Sequence, residues 1–136
     1  MPEATAMRRD LPVLAAVAAG GVLGALARYG VSSAWPHEPG GFPWATFGIN
    51  VSGCLAIGVL LVMITELRST HRLTRPFLGT GVLGGYTTFS TYAVETERLL
   101  SDHPVTALVY LVGTAAAALV AVQAGVVLTR ALGRRS

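Results

Sequence analysis

The sequence predicts an all-α membrane protein of four transmembrane helices, the third of them broken near its middle. Three observations carry that prediction. Of its 136 residues, 52% are hydrophobic and 12% charged, values foreign to an ordinary soluble domain. Four runs without Asp, Glu, Lys or Arg follow one another at 11–27, 39–65, 76–94 and 104–129, each near or above the length a helix needs to cross lipid. At the centre of the third run, residues 84–92 read GGYTTFSTY, two glycines followed by a cluster of hydroxyls.

The whole chain, 1–136, reads as one transmembrane domain with spans at about 11–34, 44–65, 76–99 and 105–132. In span one, Gly20 and Gly24 form a GxxxG pair with Gly21 beside them, which lets another helix approach closely, although small residues are common in any membrane helix. Arg8 and Arg9 before an apolar stretch ending in Ala25-Leu26-Ala27 imitate a secretory signal. Three further spans leave no soluble domain to export, so the segment is read as a span. The turn-rich Pro36–Gly41 leads to span two, where Trp44 takes an interface position. A short cationic loop at 66–75 precedes span three, and Ser101-Asp102-His103-Pro104 links it to a span four rich in alanine and valine. No internal repeat or second domain is visible.

The ten basic residues are all arginines placed at the ends of apolar runs, which speaks against a nucleic-acid stripe and for a topology signal. Arg8, Arg9, Arg68, Arg72, Arg75, Arg130, Arg134 and Arg135 fall on one side of a four-span chain, Arg28 and Arg98 on the other, so both termini are expected in the cytoplasm. The one cysteine, Cys54, sits in span two and excludes an intrachain disulfide. His37, His71 and His103 lie in loops without metal-ligand spacing.

An open β-edge cannot cross lipid, so GGYTTFSTY is either a helix whose threonines bond back to carbonyls or a break buried in protein. Paired glycines and threonines favour the break. Asn50, an amide inside span two, serves either as glue between helices or as a ligand donor. Arg28, embedded late in span one, either snorkels to the interface or attracts an anion. Phe89 and Tyr92 share a helix face, as packing or as electropositive ring edges toward an anion. Tyr110 and Thr114, four apart on span four, align their hydroxyls or satisfy them on the backbone.

These residues together, GGYTTFSTY at 84–92, Gly48-Ile49-Asn50, Arg28 and four short spans, resemble the Fluc (CrcB) family of fluoride channels over nearly the whole chain. The resemblance implies an antiparallel, dual-topology dimer enclosing two narrow fluoride pathways. It implies a structural sodium ion held by backbone carbonyls at the break, matching Gly84 and Thr87. A fluoride pathway would be formed by Asn50, Phe89, Ser90, Thr91, Tyr92, Tyr110 and Thr114, with Arg28 in the vestibule. Tyr92 departs from the phenylalanine of many members. Fluoride is small and strongly hydrated, so such a pore must replace its water with donors, here the Asn50 amide and the Ser90 and Thr91 hydroxyls.

Balanced arginines are expected of a chain that inserts both ways, and eight against two is not balanced. The partner is therefore a second copy or an oppositely oriented relative, with the relative expected. The alternative function is a small four-span multidrug-type exporter, which needs a membrane-embedded carboxylate; none of the four runs contains one, Glu95 lying just past the third. An intramembrane protease lacks its serine-histidine or paired aspartates, so no enzyme is expected.

Overall fold

The computed structural model describes residues 2–67 and 71–134, and among them every regular element is helical. Arg68 and Arg135, two of the arginines used for orientation, lie outside the described residues. Helix α1 spans Pro2–Ala34, beginning well before its apolar run. Helix α2 spans Trp44–Val62 and continues as a π-helical turn, Met63–Leu67. Helix α3 occupies 75–86, π-helical over Arg75–Leu83 and α-helical over Gly84–Tyr86. Helices α4, Phe89–Asp102, and α5, Pro104–Gly133, complete the chain.

Among the described residues, three segments are long and apolar enough to cross a membrane alone: Asp10–Ala34, Trp44–Glu66 and Pro104–Gly133. The third span is the exception because it is broken. Its second half, α4, has 14 residues, about 21 Å of helix against a hydrocarbon core of about 30 Å. Between the halves Thr87 (ψ 155°) and Thr88 (φ −145°, ψ 122°) are extended, which excludes the continuous helix. The chain is an all-α, multi-pass membrane protein with a broken third helix.

Two close helix pairs organise it. On α1, a methyl group added at Gly20 would overlap the carbonyl oxygen of Phe77, and one at Gly24 that of Val82, so α1 lies directly on the backbone of α3. On α2, a methyl at Gly58 would overlap the Val122 carbonyl, and one at Gly125 of α5 the Leu55 carbonyl. Without a strong hydrophobic drive between helices in lipid, such backbone approach is what associates them. Gly20 meets Phe77 and Gly24 meets Val82, while Gly58 meets Val122 and Glu66 meets Arg130, so α1 runs parallel to α3 and α2 parallel to α5. The large apolar side chains mostly point outward, with Leu26, Val105, Leu119 and Val120 all more than 60% exposed.

Arg130 meets Glu66 at 2.6 Å where α5 and α2 end together. Both side chains are well exposed there, so Arg130→Ala is expected to leave the thermal midpoint almost unmoved, as a melting curve would show.

Candidate functional site

The site grows from the break. Because Thr88 is extended, its amide leaves the helical ladder and donates to Asn50 Oδ1 at 2.9 Å, while Asn50 Nδ2 donates to the Thr88 carbonyl at 3.0 Å. One side chain of α2 thus satisfies both backbone groups of the residue that interrupts span three. Thr88 also caps α4: its Oγ1 accepts from the Thr91 amide at 3.1 Å and donates to Thr91 Oγ1 at 3.0 Å. Ser90 Oγ lies 3.4 Å from the same hydroxyl. Thr87 Oγ1 instead closes the end of α3 by donating to the Leu83 carbonyl at 2.9 Å.

In an unbroken helix the amides of Thr88 and Thr91 would serve the carbonyls of Gly84 and Thr87. Both amides go to side chains instead, so these two oxygens lose their helical donors.

Asn50, Thr87, Thr88, Phe89, Tyr92 and Thr114 line an open cavity of about 270 Å³ between α2, the break and α5. Phe89, 80% exposed, stands at the first turn of α4 with its ring centroid 5.9 Å from that of Tyr92. Tyr92 is buried, and its hydroxyl donates to the Leu111 carbonyl, tying α4 to α5. The Tyr92 and Tyr110 rings meet edge-on at 5.2 Å. Thr114 is 3% exposed, and its Oγ1 has no hydrogen-bond partner among the described residues. A buried hydroxyl left without a partner normally costs stability, so it marks a place where a ligand or water completes the bonding.

Tyr110 lies outside this cavity. Its hydroxyl donates to Glu95 Oε2 at 2.7 Å, and Thr46 Oγ1 donates to Glu95 Oε1 at 3.0 Å. Glu95 in turn lines a second cavity of about 450 Å³ with His37, Arg98, Asp102 and His103. Glu95 lies within the 76–99 span but just past its uncharged run, so a search of the runs alone left it out. The uncharged run ends at Val94, but α4 continues to Asp102, so the carboxylate is drawn into the bundle. The lack of an embedded carboxylate therefore cannot be held against the exporter.

Gly84, Ser90, Thr91 and Arg28 do not line the first cavity, and Arg28 makes no hydrogen bond or ion pair among the described residues. Sequence reasoning missed Thr88 as the clasped residue, although a threonine placed just before an apolar helical stretch is an N-cap signal.

The family described as "CrcB-like protein, Camphor Resistance (CrcB)" matches residues 15–126. The chain is 57% identical to "Fluoride-specific ion channel FluC 1" of Streptomyces coelicolor, over 89% of this chain and 79% of that one. It is 58% identical to "Fluoride-specific ion channel FluC 2" of Nocardia farcinica, over 88% and 83% respectively. A relative from Paracoccus denitrificans, "Fluoride-specific ion channel FluC", shares 43% identity over 85% of this chain and 93% of its own length. With such coverage by the family and by three relatives, the chain belongs to the CrcB-like family.

Proposed function

We propose that the chain forms a fluoride-specific ion channel that lets fluoride leave the cell, working as an antiparallel dimer in the membrane. The high identity to relatives named for fluoride carries the choice of ion and does not favour the exporter. The geometry supports how fluoride would pass. A small anion shedding its water needs donors in compensation. The partnerless Thr114 hydroxyl supplies one, and the second amide hydrogen of Asn50, beyond the one given to Thr88, supplies another. Phe89 and Tyr92 add electropositive ring edges, and the positive end of the α4 dipole opens beside them.

The Gly84 and Thr87 carbonyls, among those released at the break, fit a hard monovalent cation, since they offer neutral oxygens and no nitrogen or sulfur. Sodium held by Gly84 and Thr87 would neutralise their partial charge and fix α3 against α4. Exchanging sodium for N-methylglucamine during purification is expected to lower both the thermal midpoint and fluoride efflux; unchanged values would exclude a resident cation.

The arginine asymmetry supports one preferred orientation, termini in the cytoplasm, and pairing with an oppositely oriented relative before a second copy. Comparable amounts of tagged termini on both faces would overturn that pairing. The function itself is tested by fluoride release from liposomes containing the purified chain, measured against chloride release. Fast, fluoride-selective release supports the channel and pairing with itself. No release, even with an oppositely oriented relative added, would overturn the reading.

Thr114→Val keeps the shape and removes the hydroxyl. Because that hydroxyl is buried without a partner, the variant is expected to be as stable as the parent or more so, by up to about 1 kcal/mol, yet to release fluoride more slowly. Equal efflux would remove Thr114 from the pathway.

A further inference from the structure

The lining of the first cavity includes a group that the channel reading leaves without a role. Cys54 is a free, partly exposed thiol on α2, four residues after Asn50 and so on the same face about 6 Å further along the helix. The α5 wall repeats this spacing with Thr114 and Ala118. Asn50 and Cys54 of α2 and Thr114 and Ala118 of α5 all line this one cavity, on helices that run parallel and meet again at Glu66 and Arg130. On the α5 wall facing α2, the lining beyond Thr114 is two methyl groups, Ala115 and Ala118. Independently of the cysteine, the buried and partnerless Thr114 hydroxyl marks this cavity as a place where a ligand is received.

We infer that the Cys54 thiol opens onto the fluoride pathway one helical turn beyond Asn50, and that a small thiol-selective electrophile bonded there closes the channel. The inference rests on the channel reading. With methyl methanethiosulfonate the thiol gives its proton to water, and its sulfur attacks the sulfenyl sulfur of the reagent. A disulfide forms as the bond to the sulfonyl sulfur breaks, and methanesulfinate leaves with the electron pair. The added methylthio group occupies the space that the two alanines leave open.

The test uses proteoliposomes of the full chain that already release fluoride, read with a fluoride electrode before and after the reagent. Because the chain has one cysteine, its intact mass reports labelling at Cys54 directly. Efflux is expected to fall about tenfold or more as labelling approaches completion, and dithiothreitol to restore it. A Cys54→Ser chain carrying Val120→Cys, which places a thiol at a lipid-exposed position outside the cavity, is expected to label and yet hold its own pre-reagent rate. Complete labelling of Cys54 with unchanged efflux would overturn the inference, and so would conducting protein that never labels or a loss that dithiothreitol does not reverse. Liposomes that release no fluoride before any reagent overturn the channel reading itself, a failure seen before the cysteine is touched.

Discussion

Replacing Asn50 with alanine is expected to remove nearly all fluoride efflux and to lower the thermal midpoint clearly. Asn50 is the partner of both the amide and the carbonyl of Thr88, at 2.9 and 3.0 Å. Inside the bundle water does not replace it, and each buried backbone group left unpaired costs about 1–3 kcal/mol. Losing both consumes a large share of the roughly 5–15 kcal/mol that holds a typical protein folded. The chain has one local escape: the Thr88 amide can turn back to the Gly84 carbonyl and mend the helix. That recovers part of the loss, but it withdraws the freed Gly84 carbonyl and rotates Phe89 away from the cavity. Either outcome ends conduction, the first through misfolding and the second through closure of the break. Asn50→Asp separates the two bonds, since its carboxylate still accepts from the Thr88 amide but offers no donor to the Thr88 carbonyl. Its stability is expected between parent and alanine variant. Parent-like efflux and melting in the alanine variant would show that the clasp does not keep span three open.

What the sequence makes legible here follows from how few solutions lipid permits. Backbone polar groups must be satisfied internally, so long uncharged runs can only be helices, and a glycine pair with consecutive threonines in one of them can only be a weak helix or a protected break. The side chain that protects it was visible as an anomaly, Asn50, but not its target, because Thr88 is 38 residues away and only the fold brings them together. Glu95 stood within the 76–99 span, but its partners were not legible, because Thr46 and Tyr110 lie 49 and 15 residues away and only the fold brings them to it. Cys54 was read only for what it excludes, although its spacing from Asn50 already put both on one helix face. The π-helical turns in α2 and α3 have no signature in the residues, since they depend on how the turns meet neighbouring helices. Gly58 and Gly125 pair across α2 and α5 without a GxxxG spacing on either helix, so that contact also became visible only in three dimensions.

Alanine at Gly24 is expected to destabilise the protein strongly, while alanine at Gly21, three residues earlier on the same helix, is expected to be neutral or stabilising. Intrinsic helix propensity treats the two alike, favouring alanine over glycine by about 1 kcal/mol in each case. Packing separates them. A Cβ at Gly21 meets nothing within 4 Å, whereas one at Gly24 would overlap the Val82 carbonyl oxygen and come within 2.7 Å of the Tyr86 amide nitrogen. Both obstacles are backbone, so no rotamer change relieves them, and α1 must move away from α3 along its length. Overpacking of this kind costs about 1–3 kcal/mol where side chains can adjust, and more where they cannot, so the collision outweighs the gain in propensity. Separation at Gly24 would also reach function. Val82 and Tyr86 belong to the half-helix that ends at the break, and Tyr86 bonds Ser52 of α2 at 3.0 Å, so displacing α3 shifts Thr87 and Thr88 against Asn50. Gly24→Ala should therefore lower the thermal midpoint and fluoride efflux together, with Gly21→Ala retaining both. If the two variants melted alike, the close approach of α1 to α3 would not be what seats the broken span.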